Sequence, residues 1–354
     1  MRKEIVIGNK KIGEGHPTFI IAEMSANHNM DFERAKRIID AAKDAGADAI
    51  KLQTYTADTI TIDCDNDYFQ ITQGTLWDGT TLHKLYQQAY TPWEWQKELK
   101  EYAESIGLIC FSSPFDLTAV DFLEEINVPA YKIASFEITD IPLIRKIARL
   151  GKPILISIGI AYLADIELAI KTCLEEGNDQ VILLKCTSAY PAKPESMNLK
   201  TIPSMQVTFD CMAGLSDHSF GSAVAVAAVA LGAKVVEKHM TLKREDGGVD
   251  SQFSMEAHEF KEMCEQIRIA EKAIGCVNYD LTYEQKRERE HSRSLFVVED
   301  INEGEVFTEK NIRSIRPGSG IHTKYYEEIL GKKARTGLKK GTPLAWWQVM
   351  ENGR

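Results

Sequence analysis

Glu23, Lys51, Lys132, His218 and His239 have the side chains of this sequence most suited to chemistry, and each lies at or near the end of a short apolar run. A carboxylate in apolar surroundings has a raised pKa and serves as a general acid or base. Lysine is seldom buried without a partner. Lys51 and Lys132 therefore call for an anion, either a bound phosphate or carboxylate or a Glu or Asp inside the fold. Hydroxyls collect at the same run ends: Ser112, Ser113, Ser135, Ser157, Thr187 and Ser216. A ring of ammonium and hydroxyl donors suits phosphate or carboxylate. Lys185 and Lys238 fit a bound anion or an internal ion pair equally well. Lys238 and His239 are adjacent, so on a strand they point to opposite faces. For Glu23 the plainer role is an ion pair with Lys51, which is compatible with proton transfer.

His218 and His239 end two successive runs. Two imidazoles on neighbouring strands could hold one divalent cation and leave positions for water and substrate. Such a lean N/O set suits Mn²⁺, Mg²⁺, Fe²⁺ or Co²⁺. The plainer role for each is a hydrogen-bonded structural histidine. Gln53 stands two residues beyond Lys51. Asp250, in the loop REDGGVDSQFSM, is a turn residue or a hydroxyl acceptor.

These residues need a frame that brings run ends together. The runs are 19–24, 49–55, 108–113, 130–135, 153–159, 181–187, 212–219 and 235–241, eight in all. Their nearly continuous apolar character suits strands buried on both faces. Amphipathic stretches at 32–45, 91–106, 141–150, 163–176, 222–231 and 256–274 separate most of them. Thr91 is the expected N-cap of its helix, with Pro92 at the first helical position. Strand–helix alternation of this kind predicts an α/β fold, a (β/α)8 TIM barrel with its chemistry at the strands' C-terminal ends. A doubly wound sheet would show a Gly-rich turn after its first strand, and AEMSANHN stands there instead. The expected organisation is a catalytic barrel over 1–280, a charged helix or linker over 281–291, and a small, mostly β domain over 292–354.

The remaining composition narrows the function. A chain of 354 residues that is 44% hydrophobic and 27% charged is neither disordered nor a disulfide scaffold. Its formal net charge of −10 disfavours nucleic acid and anionic membrane as partners. No apolar run is long enough to span a bilayer and no signal peptide is seen, so a soluble, cytoplasmic protein is expected. Seven scattered cysteines without CxxC spacing read as reduced thiols. Cys110 and Cys186 sit within apolar runs, as small hydrophobes or, less simply, as nucleophiles.

The ordered set AEMSANHN, GADAIKLQTY, FSSPFD, YKIAS, KCTSAYP, GLSDHS and EKHMT resembles the sialic acid synthase family, and the piece containing SIRPGSG resembles that family's antifreeze-like (SAF) domain. The resemblance covers essentially the whole chain. QTYTADTIT, LWDG and YKIASFE are more similar to the pseudaminic branch than to the neuraminic one. It implies metal-dependent condensation of phosphoenolpyruvate with an amino sugar, here 2,4-diacetamido-2,4,6-trideoxy-L-altrose, with release of phosphate. Neuraminic or legionaminic acid synthesis is the nearest alternative, and a nonenzymatic sugar-binding protein the remote one. Carried onto this sequence, the resemblance implies Glu23 as the catalytic carboxylate. It implies Lys51, Ser113, Lys132, Ser135, Ser157 and Ser216 as phosphoenolpyruvate contacts, and His218 and His239 as ligands of Mn²⁺, Mg²⁺ or Co²⁺. Gln53, Tyr190, Asp250 and Arg316 are implied as sugar contacts, Arg316 from the neighbouring chain of a domain-swapped homodimer. Ile158 departs from the family pattern, which has a hydroxyl beside Ser157.

Overall fold

A short antiparallel hairpin, β1 (Glu4–Ile7) and β2 (Lys10–Gly13), precedes the first strand of an eight-stranded parallel barrel. The computed structural model describes residues 1–72, 74 and 76–350. The barrel strands are β3 (Phe19–Glu23), β4 (Ala49–Thr54), β5 (Ile109–Pro114), β6 (Tyr131–Ile133), β7 (Ile154–Ser157), β8 (Val181–Cys186), β9 (Met212–Asp217) and β10 (Val235–Thr241). Each pairs in parallel with the next, and β10 pairs with β3, so the sheet closes. Nearly every residue of these strands is buried, as expected where one face meets the barrel interior and the other a ring of helices.

The helices carry their own start and stop signals. In α1 (Phe32–Ala45), the Asp31 side chain accepts from the Arg34 N–H, and Gly46 ends the helix at φ 93°, a left-handed conformation that glycine tolerates. The connection after β4 holds α2 (Ala57–Ile60) and α3 (Leu82–Ala89) before α4 (Trp93–Ser105). Thr91 does not cap α4. Pro92 occupies the N-cap position, and the Thr91 hydroxyl lies 3.1 Å from His28 Nε2 instead. The Met30 N–H donates to His28 Nδ1, which leaves Nε2 as the donor to Thr91.

The ring continues through α5 (Leu117–Glu125), α6 (Ile141–Ala148), α7 (Leu163–Glu175), α8 (Thr201–Thr208) and α9 (Ala223–Ala230). A two-residue strand β11 (Met255–Glu256) then leads into α10 (Ala257–Ile274). Helical periodicity did not mark α5 or α8. In the second, Pro203 interrupts the pattern and the apolar residues do not gather into one stripe.

The chain forms two compact units, Met1–Gly275 and a second beginning at Cys276. The second contains α11 (Tyr283–Glu288), the antiparallel pair β12 (Ser294–Val297) and β13 (Ile312–Ile315), and α12 (Tyr326–Ile329). Isolated bridges such as Ile301–Leu338 and Ala334–Val349 extend its β character. It has its own core, in which Leu295, Val297, Phe307, Ile312, Ile329 and Leu344 are buried. The charged 281–291 stretch is mainly α11 with no buried residue. Positions 351–354 of the expected C-terminal domain lie outside the described residues. Among the described residues no helix is long and apolar enough to cross a membrane.

Candidate active site

Strand alternation sorts the polar residues of the rim into two faces. On β10, Glu237 and His239 share one face, and Lys238 takes the other, where its ammonium lies 2.6 Å from Asp217 Oδ2 and donates to the Ser219 carbonyl. Lys238 and Asp217 thus satisfy each other and leave the anion question to the other lysines. On β9, Ser216 takes the inward face and donates to Glu237 Oε1 at 3.2 Å. Ser112 also turns away, bonded to the Thr54 hydroxyl at 2.6 Å, while Ser113 accepts from Lys51 Nζ at 3.2 Å.

The barrel floor is a buried cluster of four charged side chains. Lys51 is ion-paired with Glu23 and lies 3.6 Å from Glu237, and Lys132 lies 3.7 Å from Glu237. All four are at most 4% exposed. Burial, aided by the nearby Glu237 charge, pushes the Glu23 carboxyl up to about 7 against the pull of Lys51. Glu237 moves the other way. Burial opposes its charge, but Lys132 and Lys51 together outweigh that and hold it below the usual carboxylate range. With Glu23 divided between its neutral and charged forms near neutral pH and Glu237 ionised, the two lysines face less than two full negative charges, and burial draws Lys132 below the usual lysine range. An anion entering this space meets an unmatched charge where screening is weak.

Above the floor, the His218 and His239 rings stand with centroids 5.3 Å apart. His218 Nδ1 lies 3.1 Å from the Thr187 carbonyl, which can only accept, so Nδ1 carries the proton and Nε2 is the free nitrogen. His239 Nδ1 is buried with no hydrogen-bond partner among the described residues. Burial, then His218 and the lysines, hold His239 well below the usual histidine range, so its ring is neutral. Among the described residues no group of three or more His, Cys, Asp and Glu is arranged to hold a cation. Burial opposes the charge on His218, but Cys186, the Thr187 carbonyl and Asp217 outweigh it and raise the ring, so it must give up its Nε2 proton to ligate. The pair offers two ring nitrogens at most, and further ligands must come from water or substrate.

The remaining sequence-derived residues distribute as follows. The Ser157 hydroxyl is buried without a partner, and Ser135 Oγ accepts from the Gly159 N–H at 3.1 Å. A Cβ on Gly159 would collide with the Ser135 and Ser188 hydroxyls, so that glycine keeps the space between them open. Ile158 is buried and supplies no donor. Tyr190 packs its ring 4.4 Å from His218, and Asp250 is buried, accepting from the Ser25 hydroxyl and the Ala26 N–H. Gln53 follows Lys51 at the end of β4, half-buried. Lys185 donates to the Cys186 carbonyl at 2.6 Å. Arg316 belongs to the second unit, where it is exposed.

Two neighbours, Glu237 and Glu137, were not singled out by sequence reasoning, and a third, Cys186, was read first as a small hydrophobe with a nucleophile as the lesser alternative. Glu237 could have been found from its i, i+2 spacing to His239. Glu137, two residues after Ser135, has a buried oxygen without a partner, and burial pushes it up to about 7. Cys186 has its thiol 3.8 Å from His218 Nδ1. Burial opposes the thiolate, yet His218 outweighs it and brings the thiol down to about 7.

The NeuB family model matches residues 38–279, and the SAF domain model matches 292–350. The chain belongs to the NeuB family. This NeuB-family chain is 47% identical over 326 residues to the pseudaminic acid synthase of Campylobacter jejuni subsp. jejuni strain 81-176, covering 92% of this chain and 95% of that one. The Helicobacter pylori pseudaminic acid synthase is 46% identical over 330 residues, covering 93% and 97%. Among solved structures, the N-acetylneuraminic acid synthetase of Leptospira borgpetersenii in complex with citrate superposes with a TM-score of 0.72 at 32% identity, covering 81% of this NeuB-family chain and 95% of that one.

Proposed function

We propose that this NeuB-family chain is a pseudaminic acid synthase, joining phosphoenolpyruvate to 2,4-diacetamido-2,4,6-trideoxy-L-altrose and water and releasing phosphate. The observation that carries this reading is the floor, where Lys51 and Lys132 converge on one buried carboxylate beside a Glu23 poised between its two protonation states. Identity to two pseudaminic acid synthases over most of the chain supports the choice of product.

In this reading Lys51 and Lys132 hold the anionic groups of phosphoenolpyruvate, with the hydroxyls of Ser113, Ser135, Ser157 and Ser216 and the space kept open by Gly159. The enol carbon attacks the open-chain aldehyde, forming the new C–C bond as the aldehyde oxygen takes up a proton. Water adds to the adjacent enol carbon and loses a proton. The resulting tetrahedral centre collapses with C–O cleavage and expels phosphate. Glu23 sits within reach of both proton movements, and its value of about 7 lets it donate or accept near neutral pH. Tyr190, Asp250 and Gln53 border the sugar. His218 Nε2 and the unpartnered His239 would hold a divalent cation such as Mn²⁺, Mg²⁺ or Co²⁺, whose Lewis acidity would polarise the aldehyde oxygen.

The proposal extends to a cytoplasmic homodimer in which Arg316 of one chain serves the partner's barrel. Arg316 is exposed and makes no ion pair or hydrogen bond among the described residues, which supports a target outside its own unit. The deciding experiment supplies phosphoenolpyruvate with a panel of acetamido sugars, follows phosphate release, and identifies the product by mass and NMR. Release with the altro-configured diacetamido sugar is expected. Release only with N-acetylmannosamine or the legionaminic precursor would move the chain to a neighbouring activity, and no release with any sugar would remove it from the synthases.

A further inference from the structure

The aromatic rings beside the histidines lead to a second cavity. The Tyr190 ring packs tilted against His218, Trp77 lies 5.8 Å from Tyr190, and Phe253 lies 5.1 Å from Tyr190 and 5.0 Å from His239. Trp77 also lines a cavity of about 420 Å³ at the barrel mouth, together with Leu85, Val249, Asp78, Gln88 and Gln252. The loop after β10 borders both the histidines and this cavity. Asp250 and Phe253 are buried toward the histidine side, while Val249 and Gln252 line the cavity. The Trp77 indole N–H is committed to the Val249 carbonyl at 3.1 Å, which ties the cavity's two walls together.

The lining is chemically specific. Trp77, Leu85 and Val249 offer apolar carbon. Gln88 and Gln252 are carboxamides without a hydrogen-bond partner among the described residues, and each can donate and accept. The charged residue in the lining is acidic, which disfavours phosphate or carboxylate. A neutral group with one N–H, one C=O and a methyl matches this set. The amide meets the carboxamides, and the methyl meets the aliphatic and indole walls.

We propose that this cavity is the subsite for an acetamido substituent of the sugar, the one farther from the reacting carbonyl. The inference rests on the synthase reading only for which sugar is bound. The reacting carbonyl lies at the Glu23 and His218 end. The chain of the sugar runs past Tyr190, and its remote acetamido group passes the edge of Trp77 into the cavity. Selection for a diacetamido sugar over its singly substituted relative is made there, away from the charged floor.

Calorimetry tests this independently of turnover. The probes are the diacetamido sugar and an analogue with hydroxyl in place of the remote acetamido group. Each is titrated into the full-length protein saturated with phosphoenolpyruvate and kept free of divalent metal by chelation, so that binding is read without turnover. Wild type is expected to bind the diacetamido sugar at least about tenfold more tightly, since a site built for an amide rejects a ligand that leaves its polar groups unmatched. Leu85→Trp, which fills the cavity, and Gln252→Leu, on an exposed turn, should each reduce that ratio to within about threefold of unity. Retained thermal unfolding would verify their folds. Equal affinity of wild type for the two sugars, or an unchanged ratio in both variants, overturns the subsite. Tight, selective binding with no phosphate release once metal is returned would uphold the subsite and overturn the synthase reading instead.

Discussion

His239 and Glu23 stand opposite each other in the ladder between β10 and β3, the seam that closes the barrel. Glu23 is also the register partner of Lys51 on β4. The carboxyl is therefore fixed from both sides by backbone pairing, with a neutral imidazole on one side and an ammonium on the other. A rigid strand position holds a proton-transfer group more closely than a loop can, and geometry of this kind lowers the reorganisation required in the transition state.

Glu23→Gln tests the proton role and its cost together. Turnover should fall by ~10²-fold or more, the usual scale for a positioned acid or base, while phosphoenolpyruvate still binds. Stability should move the other way. The folded carboxyl titrates near 7 and the unfolded one near 4.5, so the folded state prefers the neutral form. Wild type is therefore penalised progressively as pH rises from the unfolded value through 7, and glutamine avoids that penalty. At pH 8 the variant should unfold at a higher temperature than wild type, and at pH 4 the two should converge. A variant that is less stable at pH 8 would show that the Lys51 pairing outweighs burial.

Glu237→Gln tests the charge arrangement of the floor. Glu237 raises Glu23 through like-charge repulsion and supplies both lysines with a counter-charge. Removing its charge should lower the Glu23 pKa, measured by ¹³C NMR titration of selectively labelled glutamate carboxyls. It should also free both ammonium groups for the substrate, so the KM for phosphoenolpyruvate should not rise through loss of charge attraction. An unmoved Glu23 titration would place Glu237 outside its field.

The metal expectation is tested by removal and return. Chelation should abolish phosphate release, and adding back Mn²⁺, Mg²⁺ or Co²⁺ should restore it. His218→Ala and His239→Ala should each need much higher metal for any recovery, because each removes one of only two protein nitrogens. Full activity in a chelated sample free of metal by elemental analysis would exclude the cation from the reaction.

The eight strands were legible because strands buried on both faces read as nearly unbroken apolar runs, and β3 to β10 lie within runs identified from the sequence except that β5 extends one residue further, to Pro114. The lysines, serines and histidines were legible because barrel chemistry concentrates at strand ends. Glu237 was not, since it lies in mid-strand and only the face it shares with His239 marks it. Cys186 needed topology. Its partner His218 is 32 residues away, and the β8–β9 register, which sets Cys186 against Ser216, brings them together. Trp77 lies in a long connection whose place over the barrel no local pattern records. For Lys238, which the sequence left open between a bound anion and an internal ion pair, the structure shows the ion pair: it turns to the outer face and is neutralised by Asp217.

The exchanged arginine can be tested by mixing. Arg316 lies in the loop IRPGSG, follows β13 directly, and is exposed. Glu23→Ala and Arg316→Ala are each expected to be inactive alone. Denatured together in equal amounts and refolded, they should form about half mixed dimers by random pairing. In a mixed dimer the barrel with intact Glu23 receives an intact Arg316 from its partner, while the other barrel lacks both. One working site in each mixed dimer returns roughly a quarter of wild-type activity. If Arg316 instead serves its own barrel, every site in every dimer lacks one residue and mixing restores nothing. Wild type carried through the same refolding sets the scale, and a mixed sample that stays inactive beside a recovered wild type would assign the loop to its own chain.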